Sequence, residues 1–379
     1  MSNDAGIIRL ALIQNPLLTT LKLGYNNLGD EGTSIIASAI KGHPNLSILD
    51  IGFNNIGDVG CTALAKEAVS NNAILKTLYL SGNCIGEVGA LQLAVAIESS
   101  NSTTSSSCGL RCLHLTANKI GCNGVKALAR AIAENEARAQ AIEAAYSSGD
   151  NLVKQPPPSD FNDCRLQELF LSGTNMGATG CLAISNMLLT NLSLRVIDMS
   201  NNDLEDKDMA LFSQSISRNK LVPIEVLRFS FNKFTCVGVE NLMNAIWGST
   251  TLKELRLDNN NVNDRGAQLV AVVLTSVKLQ VIDLGFNSIT TVGIKALMKS
   301  LAENDSLLSL TLSGNPLDTT ASKAVSYALA YNSSLTSLYV DHCSIGYAAQ
   351  RHITAGIASN SQSALRHVTG FGIGGKLVK

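Results

Sequence analysis

Asp341-His342-Cys343 sets a carboxylate, an imidazole and a thiol side by side, the residue types that make a nucleophile with its general base. Adjacent residues on a strand point to opposite faces, so this triplet cannot form that relay. The run Gly370-Phe-Gly-Ile-Gly-Gly375-Lys376-Leu377 comes close to a phosphate-cradling loop. Leu377 stands where a hydroxyl would hold magnesium, and no helix is expected after it to face a phosphate. The other histidines, His43, His114, His352 and His367, form no pair at metal-ligand spacing. The nine cysteines are scattered, with Cys108 and Cys112 the nearest two and no second pair to complete a zinc site. Neither a Gly-x-Ser-x-Gly elbow nor a His-Glu-x-x-His helix occurs. No catalytic, cofactor-binding or metal residue is assigned, and no enzymatic activity is expected.

The bulk properties point the same way. A net charge of −1 creates no field that would favour nucleic acid or an anionic membrane. Hydrophobic residues make up 45 % of the chain and aromatic residues only 4 %, which predicts a core of Leu, Ile, Val and Ala. No apolar run approaches the length of a membrane span, and Ile7 to Ile13, interrupted by Arg9, lacks the form of a signal peptide. Scattered cysteines behave as small buried hydrophobes in a reducing compartment. A cytoplasmic location is expected, with the nucleus as the alternative.

What positions the remaining polar and aromatic residues is a repeat. The stretch Leu49-Asp-Ile-Gly-Phe-Asn54-Asn-Ile-Gly-Asp-Val-Gly60 returns at Leu21 to Gly32, Leu78 to Gly89, Leu255 to Gly266 and Ile282 to Gly293. Eleven units align on Asn26, Asn54, Asn83, Asn118, Thr174, Asn202, Asn232, Asn260, Asn287, Asn315 and Cys343, and most spacings lie between 27 and 30 residues. In each unit alternating apolar residues predict a short strand. A helix follows; in the ninth unit Ile294, Leu297, Met298 and Leu301 share one face, with Lys295 and Lys299 outward and Asn304 at the end. Gly32, Gly60, Gly89, Gly124, Gly180, Gly238, Gly266 and Gly293 recur six residues after the Asn position, where they are expected to relieve a bend.

The motif Leu-x-x-Leu-x-Leu-x-x-Asn-x-Ile resembles the leucine-rich repeat, and the 28-residue period with its Ala/Leu-rich run is similar to the ribonuclease-inhibitor-like subclass. The resemblance covers essentially all of residues 1–379, expected to form a single domain. It implies an α/β fold: a right-handed solenoid, or horseshoe, of about 11 repeats. Strands stack about 4.8 Å apart while packed helices need about 8–10 Å, so the parallel sheet takes the concave side and the helices the convex side. The Asn column is structural. An amide offers donors and an acceptor to its own turn and to the neighbouring repeat, and losing one should cost about 1–3 kcal/mol. Thr174 and Cys343 satisfy less.

Two spacings break the rhythm. The 35-residue gap holds the polar run Ser99 to Ser107, and the 56-residue gap holds an extended helix from Val125 to Tyr146, then Pro156-Pro157-Pro158. In that helix Glu134 and Glu136 are expected to face Arg138. The insertions, 99–108 and 134–163, leave one rim. They are either tolerated loop drift or a partner-specific flap.

The outward residues of the strands form the candidate site. The middle positions are Lys22, Asp50, Tyr79, His114, Phe170, Asp198, Arg228, Arg256, Asp283, Thr311 and Tyr339, and the strand ends add Tyr25, Phe53, Phe231 and Phe286. Exposed aromatics and arginine make binding hot spots, whereas on the structural reading the charges pair across strands and the aromatics cover apolar sheet. The sequons at Asn191 and Asn332 fall on helix-end positions set by the repeat and argue nothing for secretion. The expected function is a non-enzymatic scaffold or regulator binding a protein partner, without nucleic acid, membrane insertion or cofactor. Two alternatives carry named partners. One is a GTPase activator, since the Ran GTPase-activating protein resembles this chain in repeat type; its partner is a small GTPase. The other is a structural subunit of a multi-subunit assembly. Immune-receptor repeat arrays resemble the chain as well.

Overall fold

In a computed structural model, residues 2–70, 72–98, 109–147 and 165–370 are described. Much of both insertions (99–108 and 148–163) and the glycine-rich tail from 371 onward lie outside them. Backbone packing divides the chain into two compact units, one of residues 1–202 with 219–223 and one of residues 203–218 with 224–379.

The first unit begins with α1 (Ser2–Gln14). Six strands then alternate with five helices: β1 (Thr20–Lys22), α2 (Gly29–Ile40), β2 (Ile48–Asp50), α3 (Asp58–Leu64, extended by a wide turn over Ala65–Val69), β3 (Thr77–Tyr79), α4 (Glu87–Glu98), β4 (Cys112–His114), α5 (Gly121–Ser147), β5 (Glu168–Phe170), α6 (Gly177–Leu188) and β6 (Val196–Asp198). The second unit runs α7 (Asp206–Arg218), β7 (Val226–Arg228), α8 (Cys236–Ile246), β8 (Glu254–Arg256), α9 (Asp264–Val273), β9 (Val281–Asp283), α10 (Thr291–Glu303), β10 (Ser309–Thr311), α11 (Thr319–Tyr331), β11 (Ser337–Tyr339), α12 (Tyr347–Ser359) and β12 (His367–Val368). Within each unit every strand pairs in parallel with the next through a helical crossover, which takes the right-handed sense. Each unit is an α/β solenoid.

The strands are short because only their central residue must enter the core. Leu49, Leu78, Leu113, Leu169, Ile197, Leu227, Leu255, Ile282 and Leu338 are fully buried against the helices. Burying a Leu or Ile side chain is worth about 1.5–3 kcal/mol, so one per strand, met by two or three from each helix, gives a continuous apolar layer. The ninth unit matches its sequence pattern: Ile294, Leu297, Met298 and Leu301 are buried, and Asn304 caps the helix. The second unit also buries Phe212, Phe229 and Phe234 in edge-to-face contact.

The Asn column holds the turns together. Asn83 is typical: its Oδ1 accepts from the backbone N–H groups of Asn54 and Ile56 in the preceding repeat, and its Nδ2 donates to the carbonyls of Ile51 and Leu80. Thr174 donates its hydroxyl to Leu171 O, and Cys343 its thiol to Leu312 O, so each keeps part of the pattern.

Two expectations are corrected. The recurrent glycines do not relieve a bend; they lie in the first helical turn at negative φ, where a side chain would crowd the residue four positions back and, in units such as that of Gly60, the preceding repeat as well. A Cβ on Gly60 would stand 2.8 Å from Asp30 Oδ1 and 2.9 Å from Ile56 Cγ2. The second correction concerns Glu136. Arg138 pairs with Glu134 and donates to Glu98 O, while Glu136 is buried and bonded to Arg165 Nη1 at 3.1 Å and to Ser193 Oγ at 2.7 Å. Thus α5, the helix that enters the second insertion, is fastened to the following repeat.

Candidate binding faces on the sheet

The residues flanking each central strand residue emerge on the sheet face away from the helices. Register places the middle positions in line. In the first unit Lys22, Asp50, Tyr79, His114, Phe170 and Asp198 are successive partners; in the second, Arg228, Arg256, Asp283, Thr311 and Tyr339.

In the first unit the aromatic members stack. Tyr79 and His114 have ring centroids 4.2 Å apart, and His114 and Phe170 3.8 Å apart with planes inclined by 9°. Parallel strands hold in-register side chains at the sheet spacing, close to a stacking distance, so three planar side chains in line form a column. Asp50 and Asp198, on either side of the aromatic run, turn back on their own strands and accept from the backbone N–H two residues on, Gly52 and Ser200.

In the second unit the charges are arranged by a residue the sequence reading did not single out. Glu254 Oε1 accepts from Arg228 Nε at 2.8 Å and from Arg256 Nε at 2.7 Å. Burial would raise its pKa, but the two guanidinium bonds prevail and hold it below the usual carboxylate range. Asp283 departs the other way. Burial, reinforced by repulsion from Asp258, pushes its carboxyl up to about 6. Tyr339 contacts the His367 ring at 5.3 Å.

The strand-end aromatics have a feature no side-chain pattern displays. The residue just before each Asn-column position is in the left-handed region, with φ between 51° and 74° in all eleven units. Glycine or asparagine is the low-strain choice there, and five units use them: Gly82, Gly173, Gly314, Asn201 and Asn259. Tyr25, Phe53, Phe231 and Phe286 occupy it instead, and they are 78 %, 46 %, 58 % and 49 % exposed. Tyr25 and Phe53 stack on each other at 4.4 Å.

Other residues of chemical interest are structural. Asp30 Oδ1 accepts from Gly57 N and Gly60 N, and Asp58, Asp206 and Asp264 do the same one repeat onward each, so an acidic residue in one helix caps the next. Their repeated place in Gly-Asp-x-Gly or its variants was the available signal. Asn332 of a sequon spends its Nδ2 on the carbonyls of Leu301 and Asn304, and Asn191 is likewise buried and bonded. A groove of about 610 Å³ on the helical side, between α4, α5 and α6, is lined by the apolar Leu91, Leu182 and Met187 and by the polar Lys126, Arg130 and Asn186. The sheet face also brings Cys112, His114 and Glu168 together, a possible donor set that linear spacing hides.

Seven segments of the chain, 14–37, 42–65, 71–94, 106–129, 190–213, 248–271 and 275–298, match the family described as Leucine Rich repeat. This is a leucine-rich-repeat protein of the ribonuclease-inhibitor-like kind. Mouse ribonuclease inhibitor is 24 % identical over 310 residues, covering 81 % of this chain and 54 % of that protein. Mouse NACHT, LRR and PYD domains-containing protein 12 is 26 % identical over 261 residues, covering 69 % of this chain and 24 % of the relative. The repeat protein therefore spans about half of the inhibitor and a quarter of the NACHT-containing relative. Among solved structures, a chain of the Rad7 and Elc1 complex in yeast superposes with a TM-score of 0.56 over 86 % of this chain and 70 % of that one, at 13 % identity, which establishes likeness of fold. Leucine-rich-repeat proteins typically bind other proteins. No helix among the described residues is long and apolar enough to cross a membrane.

Proposed function

We propose that this repeat protein is a non-enzymatic scaffold that binds a protein partner through the sheet face. The observation that carries this reading is the placement of Tyr25, Phe53, Phe231 and Phe286. Each stands in a left-handed conformation that costs a bulky residue about 1–2 kcal/mol relative to glycine, and each leaves about half or more of its surface exposed. Strain kept at an exposed aromatic points to use by a ligand. The Tyr79–His114–Phe170 column supplies a preformed flat contact at little further loss of side-chain freedom. One relative is by name an inhibitor of a ribonuclease, hence a binder of another protein. On this reading residues 134–147 form part of a rim flap, anchored by Glu136. Arg228 and Arg256 are both held by Glu254, which argues against either of these two as a free arginine for phosphoryl transfer.

The test is affinity capture with cross-linking, followed by reconstitution with each purified candidate. A Tyr25→Ala/Phe53→Ala variant and a Phe231→Ala/Phe286→Ala variant should each weaken a direct partner at least tenfold. Lys295→Ala/Lys299→Ala, on the helical side, should leave it unchanged. The reading fails if every direct partner survives both aromatic double variants and is lost from the helical-side variant.

A further inference from the structure

The sheet face of β4 and β5 gathers three different metal-ligand donor types within reach of one another. Cys112 and His114 are alternate residues of one strand, so both side chains leave the same side. Glu168 is the in-register neighbour of Cys112 on the next strand. One ligand atom from each, a thiol sulfur, an imidazole nitrogen and a carboxylate oxygen, lies within 4.8 Å of the other two. Cys112 Sγ already donates to Glu168 Oε2 at 3.1 Å. His114 is held from both sides by Tyr79 and Phe170, which restricts the rotation of its ring. In the first unit the equivalent pairs are Thr20 and Lys22, Ile48 and Asp50, Thr77 and Tyr79, and Val196 and Asp198, none of which contributes a thiol or an imidazole.

We propose that Cys112, His114 and Glu168 bind one divalent cation of the zinc class. Thiolate with imidazole selects a borderline-soft ion over magnesium or calcium, which take oxygen donors. Zinc bonds of about 2.0–2.3 Å set ligand atoms about 3–4 Å apart, so three donors within the observed separation reach it by side-chain adjustment. Three protein ligands leave a fourth position toward the open sheet face for water. On binding, the Cys112 S–H bond breaks and a sulfur–metal bond forms. The proton passes to Glu168 and then to solvent as that carboxylate turns to the metal; nothing is oxidised or reduced. Affinity should therefore rise with pH.

The test uses the full chain stripped with a chelator, then titrated with zinc chloride against a competing dye and, separately, with cobalt chloride. One zinc per chain is expected, with net proton release on binding and a near-ultraviolet band from thiolate-to-cobalt charge transfer. Cys112→Ser should abolish that band, and Glu168→Gln and His114→Gln should each weaken zinc at least tenfold, with circular dichroism confirming the fold. Cys84→Ser/Cys122→Ser should bind as the unaltered chain does. The inference is overturned if the unaltered chain shows no cobalt–thiolate band, or if the band persists in Cys112→Ser. Should Cys112→Ser fail to fold, an unchanged zinc affinity in both Glu168→Gln and His114→Gln overturns it equally.

Discussion

The ring of Phe53 occupies the space where a side chain on Gly82 would begin. Phe286 covers Gly314 in the same way, one repeat apart in the second unit. An aromatic in the left-handed turn of one repeat thus rests on a glycine in the left-handed turn of the next, and each residue type explains the other. The relationship separates two roles of glycine. Gly82 and Gly121 both have φ of 69°, but nothing lies within 4 Å of a Cβ on Gly121. Gly121→Ala should carry only the conformational penalty, about 1 kcal/mol, whereas Gly82→Ala must also displace the ring and should lose about 2–3 kcal/mol in urea denaturation. In a double-mutant cycle with Phe53→Ala, the excess at Gly82 should disappear.

The Asn column should be unequal in stability although it looks uniform in sequence. Asn83 is buried and makes four backbone bonds, while Asn26 is exposed and its side chain makes two, both within its own turn. Asn83→Ala strands donors and acceptors in both repeats and should cost about 2–3 kcal/mol; Asn26→Ala should cost less than about 1 kcal/mol. Equal losses in denaturant midpoint would contradict the ladder.

The aspartate caps respond to acid. Burial acts to raise the Asp264 pKa, but hydrogen bonds from Thr290 and Gly293 prevail and hold it below the usual range. A depressed native pKa gives stability that is present above the unfolded value and is lost as pH falls through the native one. Asp264→Ala should therefore cost about 1 kcal/mol near neutrality, a modest figure because the carboxylate is partly solvated, and progressively less as pH falls below the ordinary carboxylate value of 3.8. Thermal melts of both chains across pH check this.

Asp283 should behave with the opposite sign. Its native pKa of about 6 exceeds the ordinary 3.8, so between those values the native state binds more protons than the unfolded chain and stability falls as pH rises. Above pH 6 the buried charge penalises folding by an amount on the order of 2 kcal/mol. Asp283→Asn should raise the denaturation midpoint at pH 8 and leave it nearly unchanged at pH 4. A midpoint that falls at pH 8 would show the carboxylate to be stabilising.

Thiol labelling should discriminate among the cysteines. Burial pushes Cys61 and Cys112 far above the ordinary thiol range and Cys343 to about 11, while Cys84 is exposed. Among the cysteines of the described residues, iodoacetamide at pH 8 followed by peptide mapping should modify Cys84 first and leave Cys61, Cys112 and Cys343 protected until the chain unfolds.

Much of this was legible in the residues. A period near 28 with two alternating apolar residues and an Asn dictates strand, turn and helix, because each unit can bury its apolar face only against a copy of itself. That logic placed Tyr79, His114 and Phe170 on successive strands, and register stacked them. The sequence also marked Asn191 and Asn332 as repeat positions, which their buried, bonded amides agree with. Tertiary structure alone decided what passes between repeats. The bond from Asp30 to Gly57 and Gly60, the seat of Phe53 on Gly82, the burial of Glu136 beside Arg165 and the meeting of Cys112 with Glu168 across 56 residues all depend on how closely one repeat approaches the next. Periodicity fixes which side of an element a residue leaves from. Distances of about 3 Å between repeats, and the backbone turns that permit them, are set only when the units pack.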